Sequence, residues 1–262
     1  MGIVHLGLGA FHKAHQAVYT DTALAQSGGD WRITGVSLRS PEPAAQLTPQ
    51  NSLYTVIERD AGGSRARVIG AIAQALHLGT QHAEVIQALT APETRIVTLT
   101  VTEKGYHIDP ATGCLNTSSP EIAQELASSK PETAIGFLVH GLFERRARDS
   151  GPLTIMSCDN LAENGRVLER LVQDFAAAAR LDLAGYLDKA VTFPNSMVDR
   201  IVPATTSTLR DEVKRLEAVE LAIADDPLAR QSAVDAAVES ATKAGGRSTG
   251  GRGGMRGGKA RP

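Results

Sequence analysis

Short β-branched runs alternate along this chain with stretches whose apolar residues recur at helical spacing, and that alternation narrows the available folds more than any other feature. Ile3-Val4-His5-Leu6 is the first such run, and a helical stretch from about Phe11 to Gln26 follows it, closed by Gly28-Gly29. Residues 32–38 alternate as a second strand before a turn marked by Pro41 and Pro43. Residues 53–59 and 67–72 read as further short strands, 83–89 as a helix, 95–101 as the strongest strand and 106–120 as a loop. Ile135, Leu138, Val139, Leu142 and Phe143 form the stripe of an amphipathic helix over 134–148. After a strand at 153–157, Asn160 with Glu163 reads as a capping-box-like start to a helix carrying Leu168, Leu171, Val172 and Phe175. This order predicts an α/β fold, a doubly wound and mainly parallel sheet over residues 1–206. A short helical segment over 207–243 and a disordered tail over 244–262 are expected to follow.

The first strand–helix junction reads Gly7-Leu8-Gly9. At such a turn one glycine permits the tight reversal, the other lets backbone approach a pyrophosphate, and the helix N-terminus offers free N–H groups. The usual third glycine is replaced by His12, and a Gly-x-Gly turn also arises for structural reasons alone. A dinucleotide site further needs a group for the adenosine ribose after the second strand, where Arg39-Ser40-Pro41-Glu42 stands. Glu42 suits a ribose 2′-hydroxyl and hence NAD, Arg39 suits the 2′-phosphate of NADP, and solvated loop charges would read the same. The balance leans to NAD, with NADP not excluded.

Composition removes several classes. With 42% hydrophobic and 21% charged residues the chain is that of an ordinary globular protein, and no apolar run is long enough for a transmembrane helix. The N-terminus lacks the basic region and apolar core of a secretory leader. Cys114 and Cys158 lie too far apart to form a metal-ligand pair, so neither a disulfide framework nor a zinc site is expected and a cytoplasmic location is the simplest. His12 and His15 share a helix face without a third ligand, Cys158 reads as a buried thiol, and Asp199-Arg200 as an internal ion pair. The net charge of −2 hides a tail: 244–262 hold eight glycines, five basic residues and no acid, leaving −7 elsewhere. Arginine–glycine segments bind single-stranded nucleic acid, but this one has no aromatic residue for stacking, so nucleic acid is not the expected partner. A shifted reading frame would give such a composition too.

Several of these segments resemble one family. Gly7-Leu8-Gly9-Ala10-Phe11-His12-Lys13-Ala14-His15, Thr100-Val101-Thr102-Glu103-Lys104-Gly105-Tyr106, Met156-Ser157-Cys158-Asp159-Asn160 with Asn164-Gly165, and above all Val191-Thr192-Phe193-Pro194-Asn195-Ser196-Met197-Val198-Asp199-Arg200-Ile201-Val202-Pro203 are similar to the polyol-specific long-chain dehydrogenases of the mannitol dehydrogenase family. Lys13 stands where arginine is expected. The resemblance implies zinc-independent hydride transfer between NAD(P) and a secondary alcohol of a polyol or sugar acid, of the mannitol/fructose or mannonate/fructuronate type. It places Gly7, Gly9, Ala10, Phe11, Thr100 and Thr102 at the coenzyme beside Arg39 and Glu42, and makes Asn195 a donor to the developing oxyanion. It further implies a general-base lysine in a Lys-x4-Asn-x2-His arrangement on a second, helical domain. These 262 residues contain no such arrangement, and the resemblance stops near Thr206. The competing expectations are therefore an inactive fragment that retains nucleotide binding, or a module acting through its basic tail. Apolar surface near 191–206 would favour self-association.

Overall fold

The computed structural model describes residues 1–60, 63–128, 130–198, 201–203 and 205–211. Asp199-Arg200 and the expectations for 212–262 lie outside the described residues. The strands are β1 (Ile3–Leu6), β2 (Ile33–Ser37), β3 (Tyr54–Asp60), β4 (Gly63–Ile69), β5 (Ile72–His77), β6 (Ile96–Leu99), β7 (Leu153–Ser157) and β8 (Val191–Thr192). The helices are α1 (Ala10–Ala14), α2 (Gln16–Ser27), α3 (Glu42–Leu47), α4 (His82–Thr90), α5 (Pro120–Ser128), α6 (Ala134–Arg148), α7 (Asn164–Ala178) and α8 (Ala184–Ala190). Contacts divide the chain into two units. The first is Met1–Tyr54 with Ile69–Ala204; the second takes in, among the described residues, those of 55–68 and 205–211.

The first unit is built on a six-stranded sheet in the order β5-β2-β1-β6-β7-β8, every neighbouring pair parallel. Chain order reverses between β1 and β6, so the fold is the doubly wound, Rossmann-type sheet expected from the sequence, with its switch point there. β1 and β2 are buried along their whole length, the few polar side chains among them (His5, Thr34 and Ser37) included. β3 and β4 form a separate two-stranded sheet.

Several local expectations are corrected. The first helix is broken at His15 (φ −124°, ψ −87°) into α1 and α2, and Gly28 closes α2 in the left-handed region, its N–H donating to Leu24 O. Pro41 and Pro43 do not mark a plain turn but sit at the start of α3, where a missing N–H costs nothing. The strand expected over 67–72 is two: β4 ends at Ile69, and β5 runs on as the edge of the main sheet through alanines and Gln74, which carry little strand signal. On α6 the buried arc is wider than the stripe, because the helix packs against both α4 and α7. Phe137 is buried, while Phe143 is 38% exposed. α7 buries Leu168, Leu171, Val172 and Phe175 as expected. The capping box is absent. Glu163 occupies the N-cap slot at φ 49° and its carboxylate pairs with the Arg166 side chain (2.9 Å) instead of capping a backbone N–H of the helix.

Two buried charged side chains of the first unit bind backbone groups outside their own turns, Arg145 through its two terminal nitrogens while its Nε has no partner. Arg145, 1% exposed, donates to Leu89 O and Ala91 O (2.9 Å each), Ser150 O (2.8 Å) and Gly151 O (3.2 Å), joining the carboxyl ends of α4 and α6. Glu125, also 1% exposed, accepts from the N–H groups of Glu132 and Thr133 and from Thr133 Oγ1 (2.7 Å), so it caps the approach to α6.

A stacked pair of histidines, His5 on β1 and His12 on α1, fills the place of the missing third glycine: their rings lie 3.4 Å apart at 12° and are fully buried. His5 Nε2 faces Gly7 O (3.2 Å) and Thr100 Oγ1 (3.0 Å), while Nδ1 lies 2.8 Å from Thr98 Oγ1. A carbonyl only accepts, so Nε2 carries the proton and Nδ1 accepts from Thr98. Burial pushes His5 down to about 3, against the weaker pull of the Gly7 carbonyl, and burial followed by His5 itself holds His12 well below the usual range.

His5 is therefore neutral in the native state at pH 5, and His12 is shifted in the same direction, whereas in the unfolded chain both protonate near 6.5. Below pH 6.5 the unfolded state binds protons that the native state refuses, so stability is lost as pH falls from 6.5 toward 3. His5 alone contributes a slope of about 1.4 kcal/mol per pH unit. Urea unfolding between pH 7 and 5 is expected to show this loss, with a flatter dependence in His5→Gln. Arg145→Met is expected to lower unfolding free energy by roughly 3 kcal/mol, since buried carbonyls lose their donor, and Arg145→Lys to recover only part for want of the planar fork.

Candidate active site at the carboxyl edge of the sheet

The chain leaves β1 through Gly7 at φ +106°, a conformation that favours glycine. A Cβ there would overlap the carbonyl oxygen of Thr100, so the turn also depends on close backbone approach to the end of β6. The N–H groups of Gly7 and Leu8 both donate to Val36 O (2.9 Å each), and Thr100 Oγ1 donates to Gly7 O (2.9 Å). Gly7 and Thr100 are thus brought together, with Thr100 holding the turn rather than standing open beside it. Gly9 differs from Gly7. A Cβ on it would meet nothing nearer than Gly7 O at 3.6 Å, so packing within the chain does not require a glycine there. Gly9 is the N-cap of α1 and no side chain caps that helix. Ala10 is exposed and Phe11 half-buried, stacked on His15 at 5.0 Å.

Arg39 and Glu42 both lie exposed after β2. Glu42 accepts from Gln46 Nε2 (2.9 Å), and its carboxylate partly offsets the burial that lowers Lys13. The Lys13 ammonium sits 6.0 Å from the Tyr54 ring centre, and the Tyr54 hydroxyl donates to Lys13 O (2.7 Å).

Beyond β6 the backbone reaches Thr102 at φ 65°, exposed and with its N–H bonded to Asp159 Oδ1 (3.1 Å). Asp159 Oδ2 accepts from Val101 N–H and from the Tyr106 hydroxyl, both at 2.8 Å, and the same hydroxyl lies 2.6 Å from Ser157 Oγ. Burial, then the neighbouring Asp159, raises the Tyr106 hydroxyl far above the usual phenol range, so it remains a proton donor. Asp159 therefore ties the loop after β6 to the loop after β7. Cys158 beside it is pushed up to about 11, first by burial and then by Asp159, which keeps it a thiol.

The end of β8 is held by α7. Asn195 Oδ1 accepts from the N–H groups of Gly165 (2.9 Å) and Arg166 (3.3 Å), giving α7 the cap that Glu163 does not. Asn164, 1% exposed, accepts from Ser196 N–H (2.8 Å) and directs its Nδ2 toward Ser196 Oγ (2.9 Å), Ser196 O and Asp159 O (3.1 Å each). Ser196 Oγ donates to Ser157 O (2.6 Å). Asp159, Tyr106, Asn164 and Gly165 have no part in the site as read from sequence. Two signals were available: all four lie in the segments that resemble the family, and an acid shortly past a strand and an Asn-Gly pair opening a helix mark their places.

A family model described as the mannitol dehydrogenase Rossmann domain matches residues 1–226. The chain is 45% identical over 216 residues to an uncharacterized oxidoreductase, YeiQ, of Escherichia coli strain K12, covering 81% of this chain and 44% of the relative. It is 43% identical over 216 residues to the D-mannonate oxidoreductase of the same strain, covering 80% and 44%. The solved structure of Pseudomonas fluorescens mannitol 2-dehydrogenase, a ternary complex with NAD and D-mannitol, matches with a TM-score of 0.76 and 40% identity over 83% of this chain and 45% of that one. The chain thus spans less than half the length of these relatives. With the family model matching most of its length, this chain belongs to the mannitol dehydrogenase family, whose Rossmann domain its six-stranded sheet represents.

Proposed function

We propose that this chain is the coenzyme-binding half of a zinc-independent dehydrogenase that moves a hydride between NAD and a secondary alcohol carbon of a polyol or sugar acid. The observation that carries the reading is the contrast between the two glycines at the β1–β6 switch point. Gly7 is demanded by the fold, whereas Gly9 faces space that packing leaves open. A glycine kept where the chain itself has no need of one fits a backbone approached by a ligand, and the uncapped N–H groups of α1 beside it suit a pyrophosphate. Ala10 and Phe11 flank that approach, with Thr100 and Thr102 on the β6 side. NAD is favoured over NADP by Glu42 and by the NAD complex of the mannitol 2-dehydrogenase relative.

When bound, NAD supplies the hydride acceptor or donor. The chain's own residues shape the turn, tie the β6 and β7 loops together through Asp159, and present Asn195 past the end of β8. A side-chain amide there suits the oxyanion that develops on the alcohol oxygen. Alcohol oxidation also needs a base for the hydroxyl proton, and Asn195 takes none. The mannonate and mannitol relatives mark the substrate class, with the specific polyol or sugar acid set by contacts beyond this domain.

NADH added to the 262-residue chain is expected to bind, with a change in nicotinamide fluorescence. Gly9→Val is expected to weaken that binding more than tenfold at unchanged thermal stability; an unchanged affinity would sink the assignment of the turn. NADH formation across a polyol and aldonate panel is expected at no more than trace rates, since a positioned base contributes about 10²–10⁴-fold and substrate orientation more. Turnover near one per second would show that the base lies within these residues.

A further inference from the structure

The end of α7 does more than receive a cap. The N–H groups of its second and third residues are already occupied by Asn195 Oδ1, so the helix terminus is not itself an anion site. Two N–H donors can be met only by the oxygen of that amide, which sets its orientation without ambiguity. Covalent geometry then turns Nδ2 away from α7, on a residue that is exposed past the carboxyl end of β8. The amide dipole lies head to tail with the dipole of a 15-residue helix. Withdrawal of charge through Oδ1 makes the Nδ2–H bonds stronger donors.

We infer that α7 orients and polarises Asn195 as a hydrogen-bond donor, with Gly165 and Asn164 as its positioning residues. This rests on the reading of Asn195 as the amide facing the substrate oxyanion. Gly165 is needed because a Cβ there would meet Phe193 O and Pro194 O at 2.5 Å each and push the 193–194 backbone off the helix end. Asn164 holds the next residue, Ser196, from both ends of its own amide. A cap serving helix stability alone is ordinarily local, from a Ser, Thr, Asp or Asn at the N-cap position. Here that position is given to Glu163 in a left-handed conformation, and the cap comes from thirty residues away.

The donor strength of an amide NH2 is read by its base-catalysed hydrogen exchange, which passes through an anion whose charge rests largely on the oxygen. N–H groups aimed at Oδ1 stabilise that anion as they would strengthen a bond to an oxyanion. In the full isotopically labelled chain, the Asn195 NH2 is expected to exchange about two- to five-fold faster than those of the exposed Asn51 and Asn160, the range a helix terminus supplies. Its 13Cγ resonance is expected downfield of theirs. Gly165→Ala is expected to return both signals to the reference values. Asn195→Asp, whose carboxylate still accepts from the same two N–H groups, is expected to keep the melting temperature that Asn195→Ala lowers. Exchange in the unaltered chain no faster than the references would overturn the inference, whatever the variants do. NADH titration of the same sample stands apart: failure to bind would remove the coenzyme reading and leave the Asn195 measurement intact.

Discussion

At the switch point the backbone of β1 turns against the end of β6 with no room for a side chain between them. Gly7 meets that constraint, and the consequences run along the whole carboxyl edge of the sheet. With the turn pressed onto Thr100, the N–H groups of Gly7 and Leu8 reach Val36 O and bind β2 into the same junction. His5 and His12 complete it from below by stacking where the family of folds usually has a third glycine. A glycine there serves close helix–strand packing. Two flat, neutral rings in contact achieve a comparable approach, at the expense of burying four ring nitrogens that must find partners or do without.

From that junction the order of the site passes by hydrogen bonds rather than by apolar packing. Asp159 carries it from the β6 loop to the β7 loop, Asn164 from the β7 loop to Ser196, and Asn195 from β8 back to α7. Loops at strand ends have few apolar groups to bury, so directional bonds from acids and amides are the means left for holding them. The same device recurs away from the site, where Glu125 satisfies N–H groups before α6 and Arg145 gathers the carbonyls after α4 and α6. In each case a charged or amide side chain from outside the turn it serves does what local capping would ordinarily do, from seven or eight residues away for Glu125 and from more than fifty for the Arg145 bonds to α4.

That arrangement accounts for the relation between the Rossmann domain and the chemistry proposed for it. The groups that shape the coenzyme turn lie within short, well-packed segments. Asn195 sits on a segment with only two residues of strand before it, and its conformation is borrowed from α7 through Gly165. On the proposed reading, the coenzyme side of the site is built by the sheet, and the substrate side by a helix terminus.

The alternation of strands with helices, the parallel sheet, the turn at Gly7–Gly9 and the stripe of α7 were legible in the sequence, because each depends on periodicity or on a single residue's allowed conformations, whereas the short elements α3, α5, α8 and β8 carry too few periods to be read. The thirteen-residue run around Asn195 marked the family for the same reason of local identity. What the sequence did not reveal is which partner each polar side chain takes. The Asn160–Glu163 pattern resembled a cap and is not one, since Asn195 arrives from β8 with a better-placed oxygen. Arg145 lies outside the apolar stripe of α6 and is buried against four carbonyls, while Phe143 belongs to that stripe and is partly exposed. Such assignments depend on which segments meet after the sheet has closed. Hydrogen bonds across tens of residues leave no period in the chain, so only the tertiary structure decided them.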